Sequence, residues 1–361
     1  MENFSFSRPT ELKEKRKVAT LLRLGVIGLG RMGKLHFLNA LHMKDVKVVG
    51  AADKSKESRR VAEKYHVKTY DDYIKLLDSE ELDAVIISLP NFLKRDSIFY
   101  ASEKDLDIFV DKPLARNLAE TEEIIRKVRA ESVRLMVGVN YRYFDSVQKL
   151  KTILDQDRVG DVVIATSELI MDGPFSHPLV PKPIPEWWFD KEKAGGGALL
   201  DLGYHLIDIF NWMFGNLDIE FSTLGYRFGL PIEDSATAVL RSPETGVRCI
   251  VNTGWFSKMI FPSFNFRINL HGTVGYASTD RFAPKNLYLH AVKEGTLNLF
   301  RRAIGTKVQY MSYTYYYASF AEVLSQFLES ITRGMQLPVL LDEQLAVMKT
   351  IESVYKQNGV S

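Results

Sequence analysis

Two groups of residues in this chain are of a type and spacing that could move protons and hydrides. The first is Asp111-Lys112-Pro113, where an apolar run, Ile108-Phe109-Val110, delivers a lysine followed at once by a proline. An ammonium at the ligand-facing edge of a sheet can stabilise oxygen charge that develops in a reaction. A lysine just after a strand is otherwise an ordinary surface charge, and spacing alone leaves the two readings even. The second group lies behind Gly195-Gly196-Gly197: Asp201, His205 and Asp208 recur at i, i+4 and i+7, along one face of a predicted helix. Leu199, Leu202, Leu206, Ile209, Phe210 and Met213 form a separate apolar stripe on it. Carboxylate, imidazole and carboxylate in line suit general acid–base work. A core helix with a solvated polar side is the plainer alternative.

These side chains need something to act on. Gly28-Leu29-Gly30-Arg31-Met32-Gly33 is a G-x-G-x-x-G loop between a predicted strand, Leu21 to Ile27, and a helix-like run, Lys34 to Leu41. The first glycine permits the turn, the second lets backbone approach a pyrophosphate, and the third lets helix pack on strand. A second strand, Val46 to Ala52, ends in Asp53, about 20 residues past Gly33, where an acid can bind the ribose hydroxyls. Strand, loop, helix, strand and acid in this order predict a dinucleotide site. Its residues are Gly28, Gly30, Arg31, Met32, Gly33, Asp53 and Lys54, with Ser88, Leu89, Pro90, Asn91, Asp111 and Lys112 on neighbouring strand ends. Asp53 favours NAD, because it would meet the 2′-phosphate of NADP. Lys54, Ser55, Arg59 and Arg60 could soften that preference, although they read more simply as a solvated helix start.

Helices and strands alternate from residue 21 to about 140, as in a doubly wound α/β domain. After Asn140-Tyr141-Arg142 the pattern changes. A helix over Ser146 to Leu154 and a strand over Asp161 to Ile170 lead to an aperiodic, proline-rich stretch, Met171 to Asp190. A loop of that length is usually functional or disordered. It supplies Asp172, His177 and Trp188 as candidate substrate contacts, beside Tyr141, Arg142, Asp201 and His205. Strands over 219–228, 235–240, 247–255 and 264–272 predict an α+β second domain with one large, mostly antiparallel open sheet. Residues 280–312 show no clear pattern, and the tyrosines of 313–317 read as core. The domains are therefore an extension over 1–20, a dinucleotide domain over 21–140, and a substrate-binding and oligomerisation domain over 141–361.

Composition narrows the classes. The 361 residues carry 47 basic and 45 acidic side chains, a balance that points to neither nucleic acid nor a membrane surface. No apolar run reaches the length of a membrane span. Cys249 is the only cysteine, so no intrachain disulfide or cysteine metal cluster forms, and no other metal-ligand spacing is present. A reducing, cytoplasmic setting is expected.

Three of these motifs resemble the Gfo/Idh/MocA oxidoreductases: the Gly28–Gly33 loop, Asp111-Lys112-Pro113-Leu114-Ala115 against the family's E-K-P-L-A, and Gly195–Gly215 against its G-G-G-x-x-x-D-x-G-x-H-x-x-D. Asp111 replaces the usual glutamate, and Lys94 stands where a histidine often follows the P-N-x-L segment. The resemblance implies NAD(P)-dependent interconversion of a secondary alcohol and a ketone on a sugar, sugar derivative or cyclitol. Lys112 would stabilise the reacting oxygen, His205 would be the acid–base group, and Asp201 would orient substrate or lysine. The resemblance also implies a cis bond before Pro113, and a homodimer or homotetramer built on the open sheet. An NADP-preferring sugar or carbonyl reductase, a redox-assisted glycosidase that recycles NAD and a non-catalytic NAD sensor are the alternatives.

Overall fold

The computed structural model describes residues 21–171, 173, 185–256, 265–305 and 315–360, apart from the side chain of Tyr288. The first half is a six-stranded sheet of β1 (Leu22–Ile27), β2 (Val46–Ala52), β3 (Lys68–Tyr70), β4 (Ala84–Ile87), β5 (Asp107–Asp111) and β6 (Leu135–Gly138). All are parallel, in the order β3-β2-β1-β4-β5-β6. A parallel sheet is covered on both faces, which is why β4 reads Ala-Val-Ile-Ile without alternation and is wholly buried. The crossovers are α1 (Arg31–Ala40), α2 (Lys56–Glu63), α3 (Tyr73–Ser79), α4 (Asn91–Glu103) and α5 (Leu118–Ala130). Local chemistry starts three of them: Ser55, Asp72 and Asn117 each accept a first-turn amide.

The order β2-β1-β4 makes the chain reverse direction on either side of β1. The crevice beyond the strand ends at that point is where an open α/β sheet binds its ligand. The glycine loop, Ser88–Asn91 and Asp111–Pro113 all leave strands there.

The second half opens with α6 (Asp145–Asp155) and builds a sheet from β7 (Val162–Ile170), β8 (Asp218–Gly225), β9 (Ser235–Arg241), β10 (Arg248–Gly254), β11 (Phe266–Gly272) and β12 (Tyr276–Ser278). Its order is β12-β11-β7-β10-β9-β8, with every pair antiparallel except β7 and β10. One face packs inward through Ala165, Ala238, Leu240, Cys249 and Val251. The other leaves Val163, Phe221 and Tyr276 more than half exposed. Between the strands stand α7 (Lys191–Ala194) and α8 (Tyr204–Phe214), which Gly215 ends at φ +78°.

Three helices follow: α9 (Leu287–Ala303), α10 (Tyr315–Arg333) and α11 (Leu341–Gln357). The last two cross back to the first half. Phe327 of α10 meets Phe109 of β5 with ring centroids 5.6 Å apart, and Asp342 of α11 pairs with Arg129 of α5. The C-terminal helices thus complete the core of the first sheet, an arrangement that helix periodicity alone does not show. Among the described residues no helix is long and apolar enough to cross a membrane.

Candidate active site

The glycine loop is shaped by contacts on two sides and by space on the third. Gly28 has φ +87°, and a Cβ there would lie 2.3 Å from the Ser88 carbonyl oxygen. A Cβ on Gly33 would lie 1.9 Å from the Gly28 carbonyl oxygen. At Gly30 a Cβ would meet nothing within 4 Å, so that side of the loop is open. Helix α1 begins at the next residue with no side-chain cap, which leaves its first amides to an anion. Arg31 is exposed and Met32 half-buried at this start. Asp53 lies across the loop, its two carboxylate oxygens accepting the Leu29 and Ser55 amides, both at 2.7 Å. Arg59 donates to the Asp53 and Lys54 carbonyls, while Lys54 itself points to solvent. The cradle fits a dinucleotide: backbone crowds Gly28 and Gly33, space is open at Gly30 where a pyrophosphate would lie, and an acid is fixed at the ribose position. Gly30→Val should therefore fold with a thermal midpoint close to wild type but bind NAD at least about tenfold more weakly. Calorimetry and fluorescence titration together check this.

Across the crevice, Lys112 follows β5 and forms a cis bond with Pro113. Its Nζ donates to Asp201 Oδ1 at 2.8 Å and to the Asp201 carbonyl oxygen at 2.6 Å. The second Asp201 oxygen, Oδ2, accepts from the indole Nε1 of Trp255 at 3.1 Å. Residues Leu199–Gly203 form a π-helical turn rather than the start of an α-helix. Such a turn carries one extra residue, which here leaves the Asp201 carbonyl within reach of the lysine, and such turns are frequent at functional sites. His205 follows in the first turn of α8. Its ring stacks on Tyr141, with centroids 4.0 Å apart and 25° between planes. Its Nδ1 is buried with no hydrogen-bond partner, which leaves Nε2 as the nitrogen directed to a ligand. Burial, and after it the Lys112 charge, holds the imidazole well below its ordinary pKa, so the ring is neutral at pH 7. A neutral imidazole, an ammonium and a fixed carboxylate converge beside the nucleotide crevice.

Residues 22–139 match the profile "Oxidoreductase family, NAD-binding Rossmann fold", and residues 147–278 match "GFO/IDH/MocA C-terminal domain". The chain belongs to the Gfo/Idh/MocA oxidoreductase family. It is 26% identical over 321 residues to the uncharacterized oxidoreductase YrbE of Bacillus subtilis, covering 87% of each chain. It is 25% identical over 329 residues to myo-inositol 2-dehydrogenase of Thermotoga maritima, covering 87% of this chain and 89% of that one. Scyllo-inositol dehydrogenase of Lactobacillus casei, solved with NAD(H) and scyllo-inositol, superposes with a TM-score of 0.74 at 17% identity, over 94% of this chain and 97% of that one. The family membership makes this chain an NAD-binding oxidoreductase of the CH–OH class.

Within this Gfo/Idh/MocA scaffold, several side chains expected at ligands are committed to protein partners instead. Arg142, expected at the substrate, is 2% exposed. It donates to Asp208 through Nε and Nη2, both at 2.7 Å, and to Glu343 through Nη1 at 2.8 Å. Asp208 also accepts from Gln344, which in turn accepts from the Tyr204 hydroxyl. Asp208 is thus committed to Arg142 and Gln344 rather than to His205. The polar side of α8 is buried, not solvated. Arg142→Met should cost about 3–5 kcal/mol, because Asp208 would stay buried without its counterion. Urea unfolding would measure it.

Asn91 and Asp111, expected at the cofactor, are likewise occupied. Asn91 donates to the Ala194 carbonyl at 2.8 Å and accepts from Lys94. Asp111 meets His36 Nε2 at 2.9 Å; burial acts to raise its pKa, and His36 pulls it below the usual carboxylate range. Trp188 is half-buried, its ring 6.4 Å from that of Trp255, and so borders the Asp201 contact. Asp172 and His177 lie outside the described residues. Ser88, Leu89 and Pro90 line the crevice floor behind Gly28.

Three residues of the site escape the sequence reading, and a fourth, Lys94, enters it only as a replacement for a histidine. Trp255 reads as the end of a strand. Glu233 accepts the amides of Gly197 and Leu199 and the Tyr355 hydroxyl on one oxygen, fixing the glycine turn that leads to Asp201. The pair Glu233-Asp234 just before a strand was the available signal. Tyr316, inside the aromatic run assigned to core, is half-buried within electrostatic reach of Arg31 and Asp201, and burial pushes its phenol up to about 12. Lys94 is buried beneath the Lys112 turn; burial pushes its ammonium down to about 7 against the pull of Asp111.

Proposed function

We propose that this chain oxidises a secondary alcohol of a cyclitol, sugar or sugar derivative to the ketone, and catalyses the reverse reduction. The carrying observation is the Lys112 ammonium held on Asp201 next to a neutral His205. Bound NAD supplies the hydride acceptor at the same carbon. His205 Nε2 takes the hydroxyl proton as general base. Lys112 donates to the reacting oxygen and stabilises its negative charge. Asp201 holds Lys112 in place, and Trp255 holds Asp201. The inositol dehydrogenase relatives support a polyol substrate, and Asp53 supports NAD over NADP. The open sheet face bearing Val163, Phe221 and Tyr276 supports a homo-oligomer, and the lone buried thiol of Cys249 suits the cytoplasm.

The test is a panel of cyclitols, sugars and nucleotide sugars incubated with the protein and NAD or NADP, with NAD(P)H absorbance as readout. Reduced cofactor formed from at least one polyol, with NAD preferred, is the expected result. Aglycone release from a glycoside without net NADH would replace this reading by the redox-assisted glycosidase. Tight NAD binding with no turnover on any compound would leave a sensor.

A further inference from the structure

The part of the site that holds Lys112 from behind is itself a lysine amine. Lys94 lies in the first turn of α4 and is 1% exposed. Its Nζ donates to the Asp111 carbonyl oxygen at 2.8 Å, the Pro113 carbonyl oxygen at 2.8 Å and Asn91 Oδ1 at 3.1 Å. In its charged form the amine has three protons, and these three acceptors use all of them. The two carbonyls bracket Lys112. A buried amine therefore fixes the backbone on either side of the residue whose own ammonium faces the ligand.

The third acceptor carries the network to the other half of the site. Asn91 Nδ2 donates to the Ala194 carbonyl oxygen at 2.8 Å. Ala194 begins the segment that continues through Gly195 to Asp201. Gly195 sits at φ +89° with no room for a side chain, since a Cβ would lie 2.3 Å from the Arg116 carbonyl oxygen. Farther along, the Gly197 and Leu199 amides are held by Glu233. One connected set, Pro113–Lys94–Asn91–Ala194, thus spans from the strand end that bears Lys112 to the turn that bears Asp201.

We infer that Lys94 and Asn91 form a clamp that registers Lys112 against Asp201. They are positioning residues, with no contact to the reacting atoms. The kinetic part of this inference rests on the dehydrogenase reading above; the geometric part does not. A pairing assembled from two distant chain segments needs such a device, because a misplacement of about 1 Å can cost up to 10²-fold in rate. An apolar residue at 94 would fill the same volume but could not hold two carbonyls at once.

The test compares wild type with Lys94→Met, Asn91→Leu and the double variant. The first readout needs no turnover: the rate at which a small amine-reactive acylating reagent labels Lys112, followed by mass spectrometry. Lys75, an exposed lysine remote from the site, serves as the internal control. Labelling of Lys112 should be several-fold faster in both single variants. The double variant should be no faster than the quicker single one, since both changes break one unit. Labelling at the wild-type rate in folded variants would overturn the clamp. The second readout uses the polyol found to turn over. A fall in kcat between about tenfold and 10²-fold is expected, with KM for NAD within about twofold and a larger primary deuterium isotope effect on kcat. A variant that only loosens the fold would lower the melting temperature without moving the isotope effect, and that result would also overturn the clamp. If Lys94→Met does not fold, Asn91→Leu keeps the buried amine and decides the matter by the same readouts. If wild type oxidises no alcohol, the dehydrogenase reading falls while the labelling rates still decide the clamp.

Discussion

Lys112→Met should lower kcat for polyol oxidation by about 10²–10³-fold while the affinity for NAD stays near wild type. Two of the lysine's donors are spent on the Asp201 carboxylate and carbonyl, so the third is the one left for a substrate oxygen. Methionine matches the length of the stem but offers no proton and no charge. The glycine loop and Asp53 make no hydrogen bond to Lys112, so cofactor binding has no reason to change. A second signature follows from the electrostatics. The Lys112 charge is one of two causes, after burial, of the low pKa of His205. His205 must be neutral to accept a proton, so kcat/KM for oxidation falls as pH drops through that pKa. Removing the neighbouring charge raises the pKa and moves the acid limb of the residual activity to higher pH. Steady-state kinetics across pH and fluorescence titration of NAD measure both effects. Turnover within a few-fold of wild type would remove Lys112 from the mechanism.

His205→Gln should reduce kcat/KM for oxidation by about 10²–10⁴-fold, the range lost with a positioned general base. Glutamine is close in size and still packs on Tyr141, so a thermal melt should show a folded protein. What it lacks is a nitrogen that titrates. The residual rate should therefore lose the acid limb attributed to His205 and rise instead with hydroxide concentration. An acid limb that survives unchanged in this variant would assign that pKa to another group.

Much of this architecture is legible in the sequence because it is local. A glycine loop is a statement about adjacent residues, and the order of apolar runs fixes a parallel α/β domain before any contact is known. Lys112, Asp201 and His205 are legible for a different reason, namely motifs whose spacing resembles a known family. What escapes the reading is long-range. Arg142 looks like a ligand-binding residue until Asp208 and Glu343 are brought to it, the latter from 201 positions away. Trp255 gains its meaning from a carboxylate 54 residues earlier. Lys94, a charge on a helix, would ordinarily be placed in solvent; its burial depends on three acceptors that only the folded turn supplies. Helix α9 shows a further limit. Leu289, Val292, Leu299 and Phe300 face outward, while Glu294 and Arg301 pair on the less exposed side. The usual rule that apolar residues mark the inward face misplaces such a helix.

The sealed Nδ1 of His205 has a consequence for the direction in which the site leans. With Nε2 as the acceptor, Nδ1 carries its proton in both forms, and an imidazolium there would be a buried cation beside an ammonium, so a proton arriving at Nε2 is a passenger and not a resident. The overall equilibrium between alcohol and ketone belongs to the reactants and is untouched. The balance between bound forms is not: the state holding ketone and a protonated ring is raised relative to the state holding alcohol and a neutral one. In the proposed reaction the ring is accordingly a reluctant base and an eager acid. Oxidation is drawn forward as that proton leaves for solvent, whereas reduction must first charge the ring, which then gives its proton up readily.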